Sequence, residues 1–135
     1  KLRGMNERGF DINAFNVELG RSLGYDCRIL NLNCPGEFDL DLAGCDLAVC
    51  YHVLEHLSDP FAGVKYLYER ANDNTVFNIE IPVEPDGPRL RFGHLYPFFQ
   101  DDMLKMLILA GFKIVSSSNV THTGGPHIER YVVIK

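Results

Sequence analysis

Residues 45–60 read CDLAVCYHVLEHLSDP, and the first six of them set the fold class. After Asp46 the run CDLAVC is almost wholly apolar over the length of a strand, the pattern expected where helices cover both faces of a parallel sheet. Two histidines and a glutamate follow at its end. Asp59 and Pro60 then supply an N-cap and a first-turn proline for a helix. Strand, polar tip and helix in that order make one βα unit of an α/β sheet.

The pattern continues on both sides. Phe61, Val64, Leu67, Tyr68 and Ala71 recur as the inward stripe of the helix. TVFNIEIPV (75–83) alternates as the next strand and is stopped by prolines. QDDMLKMLILAGF (100–112) has Asp101 and Asp102 in a first helical turn, where they suit the helix dipole, and Gly111 as its C-terminal stop. FKIVSSSNV (112–120) and RYVVIK (130–135) are the last strands, joined through the Gly-rich THTGGPHIE (121–129) as an antiparallel hairpin. Toward the N-terminus, YDCRILNL (25–32) alternates weakly as a strand, and CPGEFDLDLAG (34–44) is a connection. RGFDI (8–12) is a short strand ending in a carboxylate. Asn13 caps the helix after it, Phe15, Leu19 and Leu23 recur at helical spacing, and Gly24 closes it. The expected architecture is a single α/β domain over 1–135, with a mainly parallel sheet, helices on both faces and a C-terminal antiparallel hairpin.

Composition narrows the function classes. The 135 residues carry 13 Lys+Arg against 18 Asp+Glu, a net charge of −5, so nothing points to a grip on nucleic acid or anionic lipid. The apolar runs are broken by charge well short of the ~20 residues of a membrane span. KLRGMNERGFD at the N-terminus lacks the apolar core of a signal peptide, and the absence of an initial Met reads as a fragment. Cys27, Cys34, Cys45 and Cys50 form no CxxC pair, which suits buried reduced thiols in a cytoplasmic protein better than a four-cysteine zinc site.

In open α/β sheets ligands bind beyond the carboxyl ends of the strands. That places Asp11, Asn31, Tyr51, His52 and the stretch from Glu80 to Glu84 at a cleft. Asp11 suits either the paired hydroxyls of a ribose or the positive end of the following helix. His52-Val53-Leu54-Glu55-His56 spells H-x-x-E-H, the signature of an inverted class of zinc peptidases. That motif wants one continuous helix, whereas here a strand ends near Cys50 and a new helix begins at Asp59-Pro60. In the plainer reading, Glu55 and His56 tie the strand end to the helix by hydrogen bonds.

CDLAVCYHVLEHLSDP resembles the fourth-strand motif of the class I S-adenosylmethionine-dependent methyltransferases, a Rossmann-like family. GFDIN is similar to the second strand of that family, RILNL to the third, NIEIPV to the fifth, and GHLYPFFQDDMLKMLILAGFKIV to the following helix-strand passage. The resemblance covers nearly the whole chain in order, except that the first strand and its glycine-rich loop have no counterpart. In the family that strand lies mid-sheet, so its neighbours would have unpaired edges. A further segment or another subunit, as in a homo-oligomer, is expected to complete the sheet.

The resemblance implies S-adenosylmethionine as cofactor and a small molecule as methyl acceptor. It implies that Asp11 holds the ribose hydroxyls, that Ile12, Asn31 and Leu32 meet the adenine, and that Cys50, Tyr51 and His52 line the methionine side. His56 and His94 are the candidate catalytic bases for an acceptor that must lose a proton. The loop 83–98, with Arg89 and Arg91, is the expected acceptor-binding region. In a quinone-biosynthesis branch an acidic residue stands at the place of His52, and a divalent ion at His52, Glu55 and His56 is conceivable by that comparison. No metal ligands are assigned. The alternative function is a non-catalytic binding or assembly module on the same fold.

Overall fold

The structure is a computed structural model that describes residues 6–38, 40–84, 93–121 and 127–135. The chain divides into two compact units, one running through Leu40 and the other spanning Asp41–Lys135. In the first, β1 (Arg8–Asp11), α1 (Ala14–Ser22) and β2 (Asp26–Ile29) form a βαβ unit whose strands pair in parallel, from Arg8 opposite Asp26 to Asp11 opposite Ile29. The Asn13 side chain accepts the Phe15 N–H at 2.9 Å and starts the helix as the sequence predicts. Gly20 faces the Cys27 sulfur, a contact that leaves no room for a side chain, and this lets α1 lie close on β2.

The helical spacing of Phe15, Leu19 and Leu23 does not translate into burial. They are 73%, 49% and 67% exposed, and the buried residue of α1 is Val17. A two-stranded sheet offers one helix a narrow bed, which one side-chain row fills. The four cysteines are free thiols as expected, but half-buried rather than buried.

The second unit contains β3 (Leu47–Tyr51), α2 (Pro60–Arg70), β4 (Val76–Val83), α3 (Asp102–Ala110), β5 (Lys113–Thr121) and β6 (His127–Ile134). Its sheet runs β3-β4-β6-β5, with β3 parallel to β4 and the other two pairs antiparallel. The terminal hairpin is therefore present, and β6 is its inner strand. Phe77, Ile79 and Ile81 of β4 are fully buried with Val133, Val64, Leu54, Phe98, Met103 and Leu107. The Asp59 carboxylate accepts the Ala62 N–H at 2.9 Å, with Pro60 as first helical residue of α2. Val64, Leu67 and Ala71 of the expected stripe are buried, while Phe61 and Tyr68 are half-buried and Tyr66 is buried in addition.

Two further expectations need correction. Only Asp102 lies in the first turn of α3; Asp101 is the N-cap, at φ 65°, without a capping hydrogen bond of its own. The Asp102 carboxylate instead reaches back to the Phe99 N–H at 3.0 Å. β3 is not covered on both faces: Leu47, Val49 and Tyr51, which alternate onto one face, are 59%, 57% and 40% exposed, and β3 is also an edge strand of its sheet. β1 and β2 form a two-stranded sheet, so each of them is an edge as well among the described residues. Among the described residues no helix is long and apolar enough to cross a membrane.

Candidate active site

In the first unit the predicted residues gather at the carboxyl ends of β1 and β2. Asp11 ends β1, and its backbone carbonyl accepts the Leu30 N–H at 3.1 Å, which continues the parallel ladder. Its carboxylate accepts the Asn13 N–H at 2.8 Å and the Asn16 amide at 2.9 Å. A carboxylate has about four acceptor positions, so these bonds fix its direction and leave capacity for hydroxyls. Ile12, next along, is 60% exposed. The Asn31 side-chain oxygen accepts the Asn33 N–H at 3.0 Å, an Asx turn that shapes the strand end. Leu32 is buried, so its side chain supports that turn.

The second unit gathers a denser set at the ends of β3 and β4. Burial, and after it the nearby Glu55 carboxylate, pushes the Cys50 thiol up to about 12, so it is a neutral group at neutral pH. Tyr51 ends β3, and His52 follows at φ 52°, a left-handed conformation that strains a residue with a Cβ. The His52 N–H donates to the Glu80 carbonyl at 3.0 Å. Its ring lies between two carboxylates, with Nε2 3.2 Å from Glu80 and Nδ1 3.4 Å from Glu55. Glu80 is buried and also receives Arg130, whose Nε donates at 2.7 Å. Arg130 stands opposite Glu80 in the β4–β6 register.

Leu54–His56 is a single 3₁₀ turn, so His52 and His56 share no helix, and the peptidase geometry is not formed. The Glu55 carbonyl accepts the N–H groups of Leu95 and Tyr96 at 2.8 and 3.1 Å, which fastens the segment carrying His94 to the turn. The His56 and His94 rings meet edge to face with centroids 5.1 Å apart. The two proposed bases are thus brought together. His56 Nδ1 lies 2.7 Å from the Gly93 carbonyl and His94 Nδ1 lies 3.3 Å from the Glu84 carboxylate. The Gly93 carbonyl can only accept, so His56 Nδ1 donates that bond and Nε2 is the nitrogen left facing the cluster. Gly93, at φ 85°, holds a backbone shape that presents its carbonyl to His56.

Beside this cluster a pocket of about 520 Å³ is lined by Val83, Glu84, Phe99, Gln100 and His127. Sequence reasoning named Glu80 and Glu84 only as strand-end residues and missed Arg130, Gln100 and His127. These come from β6 and from the approach to α3, and only the antiparallel β4–β6 pairing brings β6 here. Arg89 and Arg91 of the expected acceptor loop lie outside the described residues.

No protein-family model and no curated protein matches the sequence. Solved structures do match the fold. One is the 1,6-didemethyltoxoflavin-N1-methyltransferase of Burkholderia thailandensis, with 1,6-didemethyltoxoflavin and S-adenosylhomocysteine bound: TM-score 0.72, 21% identity, 98% of this chain and 62% of that one. Another is an S-adenosylmethionine-dependent methyltransferase of Mesorhizobium loti: TM-score 0.72, 14% identity, 95% of this chain and 80% of that one. A [4+2]-cyclase matches at TM-score 0.74 and 12% identity over 95% of this chain and 65% of its own. The chain thus spans less than two thirds of the cyclase and of the Burkholderia enzyme. These likenesses agree with the resemblance read from the sequence: the chain has the Rossmann-like α/β fold of the class I S-adenosylmethionine-dependent methyltransferases.

Proposed function

We propose that the chain is the core of an S-adenosylmethionine-dependent methyltransferase acting on a small molecule. The observation that carries the reading is the match to methyltransferase structures together with Asp11, a partly satisfied carboxylate at the strand tip before a helix. In this reading Asp11 binds the ribose hydroxyls, and Ile12, Asn31 and Leu32 flank the adenine. Cys50, Tyr51 and His52 take the methionine side. The pocket beside Glu84 takes the acceptor, a role supported by the small molecule bound to the Burkholderia enzyme.

Methyl transfer is an in-line displacement at a sulfonium carbon, so the first demand on the protein is alignment. For a hydroxyl acceptor, His56 and His94 are the side chains placed to take the proton.

Calorimetric titration with S-adenosylhomocysteine tests the cofactor half. Saturable binding is expected, weakened by about 10-fold or more in Asp11→Ala, since a hydrogen-bonded charged acceptor contributes about 1.5–3 kcal/mol. Absence of saturable binding by the intact chain would leave the non-catalytic module as the better reading. The [4+2]-cyclase among the matches shows that proteins with this fold carry reactions other than methyl transfer, so the fold by itself does not fix the activity.

A further inference from the structure

The Glu55 side chain is 1% exposed, and neither of its carboxylate oxygens accepts a hydrogen bond. The His52 ring nitrogen 3.4 Å away lacks hydrogen-bond geometry toward it. A carboxylate removed from water without a donor is costly, and a cation is the usual remedy. Two imidazoles face the same spot. His56 Nε2 lies 3.9 Å from Glu55 Oε1, and the ligand atoms of Glu55, His56 and His94 all lie within 4.8 Å of one another.

We propose that Glu55, His56 and His94 bind one divalent first-row transition ion of the zinc type. Tetrahedral bonds of about 2.1 Å place two ligand atoms about 3.4 Å apart, so side-chain rotations that draw each ligand atom in by about an ångström close the set. The surroundings are those of a prepared site. Metal-binding histidines normally donate the second ring N–H to a carbonyl or carboxylate, which orients the ring and raises its basicity. His56 does so to the Gly93 carbonyl and His94 to the Glu84 carboxylate. Two nitrogens and one carboxylate oxygen favour zinc and its neighbours over magnesium or calcium, which take oxygen shells.

The set differs from the one the H-x-x-E-H spelling suggests. His52 is occupied between Glu80 and Glu55, and the third ligand comes instead from the segment hydrogen-bonded to the Glu55 carbonyl. Three protein ligands leave a position for water or for an oxygen of a bound molecule. Holding an ion and acting as free bases are exclusive uses of the same nitrogens, so metal loading would remove the base role of His56 and His94. The site needs no methyl donor, and its test is independent of the methyltransferase reading.

The experiment titrates the metal-stripped chain with Co(II), read by visible absorption, and with Zn(II), read by competition against a chromophoric chelator. One equivalent of each is expected, with a rise in melting temperature on Zn(II) and no competition from Mg(II). Glu55→Gln and His94→Gln should each lower Zn(II) affinity by about 10-fold or more, Glu84→Gln by about 10-fold, and His52→Ala by less than about 3-fold. Circular dichroism of each variant separates ligand loss from unfolding. Failure of the wild-type chain to bind one equivalent of Zn(II), or unchanged affinity in a folded His94→Gln variant, would overturn the proposal.

Discussion

Tyr131 is 3% exposed and its hydroxyl donates to buried Glu129 at 2.6 Å. Burial first, and then this bond, push the phenol above its ordinary value. A raised folded-state value means the native protein keeps a proton that the unfolded chain releases near pH 10. The stability this confers is complete below that pH and declines above it, by at most about 1.4 kcal/mol per pH unit. Tyr131→Phe should therefore flatten the alkaline decline, while costing about 1–3 kcal/mol at neutral pH because Glu129 loses its donor. Urea midpoints from pH 8 to 11 check this, and parallel slopes for the two proteins would contradict it. Such pairs show what single positions reveal in a sequence. Asp11, Asn13 and Asp59 were legible because their partners lie within five residues. Glu80–Arg130 was not, since the two are brought opposite only by the β4–β6 register.

The elements carry the same lesson in their ends. Gly111 stops α3 as its sequence position predicts, at φ 110°, and its N–H bonds back to the Ile108 carbonyl at 3.1 Å. A Cβ there would also lie 2.8 Å from the Tyr68 ring, a demand invisible in the sequence. That ring packs edge-on against Phe112 at 5.1 Å, so it has little freedom to retreat. Gly111→Ala should then cost more than the ~1 kcal/mol of an unfavourable φ alone, about 2 kcal/mol or more. Gly36→Ala, with nothing within 4 Å of the added carbon, should change stability by less than about 0.5 kcal/mol. Thermal melts of the two variants decide; equal shifts would mean that the Tyr68 contact gives way freely. Caps and stops act over one turn, and so Asn13, Asp59 and Gly111 were read correctly while Asp101 was misplaced by one residue, whereas the neighbour that tightens the requirement at Gly111 comes from α2.

Burial is where sequence periodicity ran out. Spacing identifies which side chains share a face, but not whether anything covers that face. Phe15, Leu19 and Leu23 share one on α1, and Leu47, Val49 and Tyr51 share one on β3, yet all six are at least 40% exposed. The two sheets differ in the same respect. β4 and β6 each have a partner strand on both sides and bury Phe77, Ile79, Ile81, Ile128 and Val133. Among the described residues β1 and β2 pair only with each other, and a two-stranded sheet is marginal by itself. Native-state hydrogen exchange should accordingly be uneven. Amides of β4 and β6 should open only near the global unfolding free energy, and those of β1 and β2 by local opening at least about 2 kcal/mol lower. If S-adenosylhomocysteine binds through Asp11, the β1–β2 amides should gain the most protection, because a ligand raises most the segments whose opening releases it. Uniform protection across all four strands without ligand would show that the chain unfolds as one cooperative body and that β1–β2 draws its stability from beyond its own pairing.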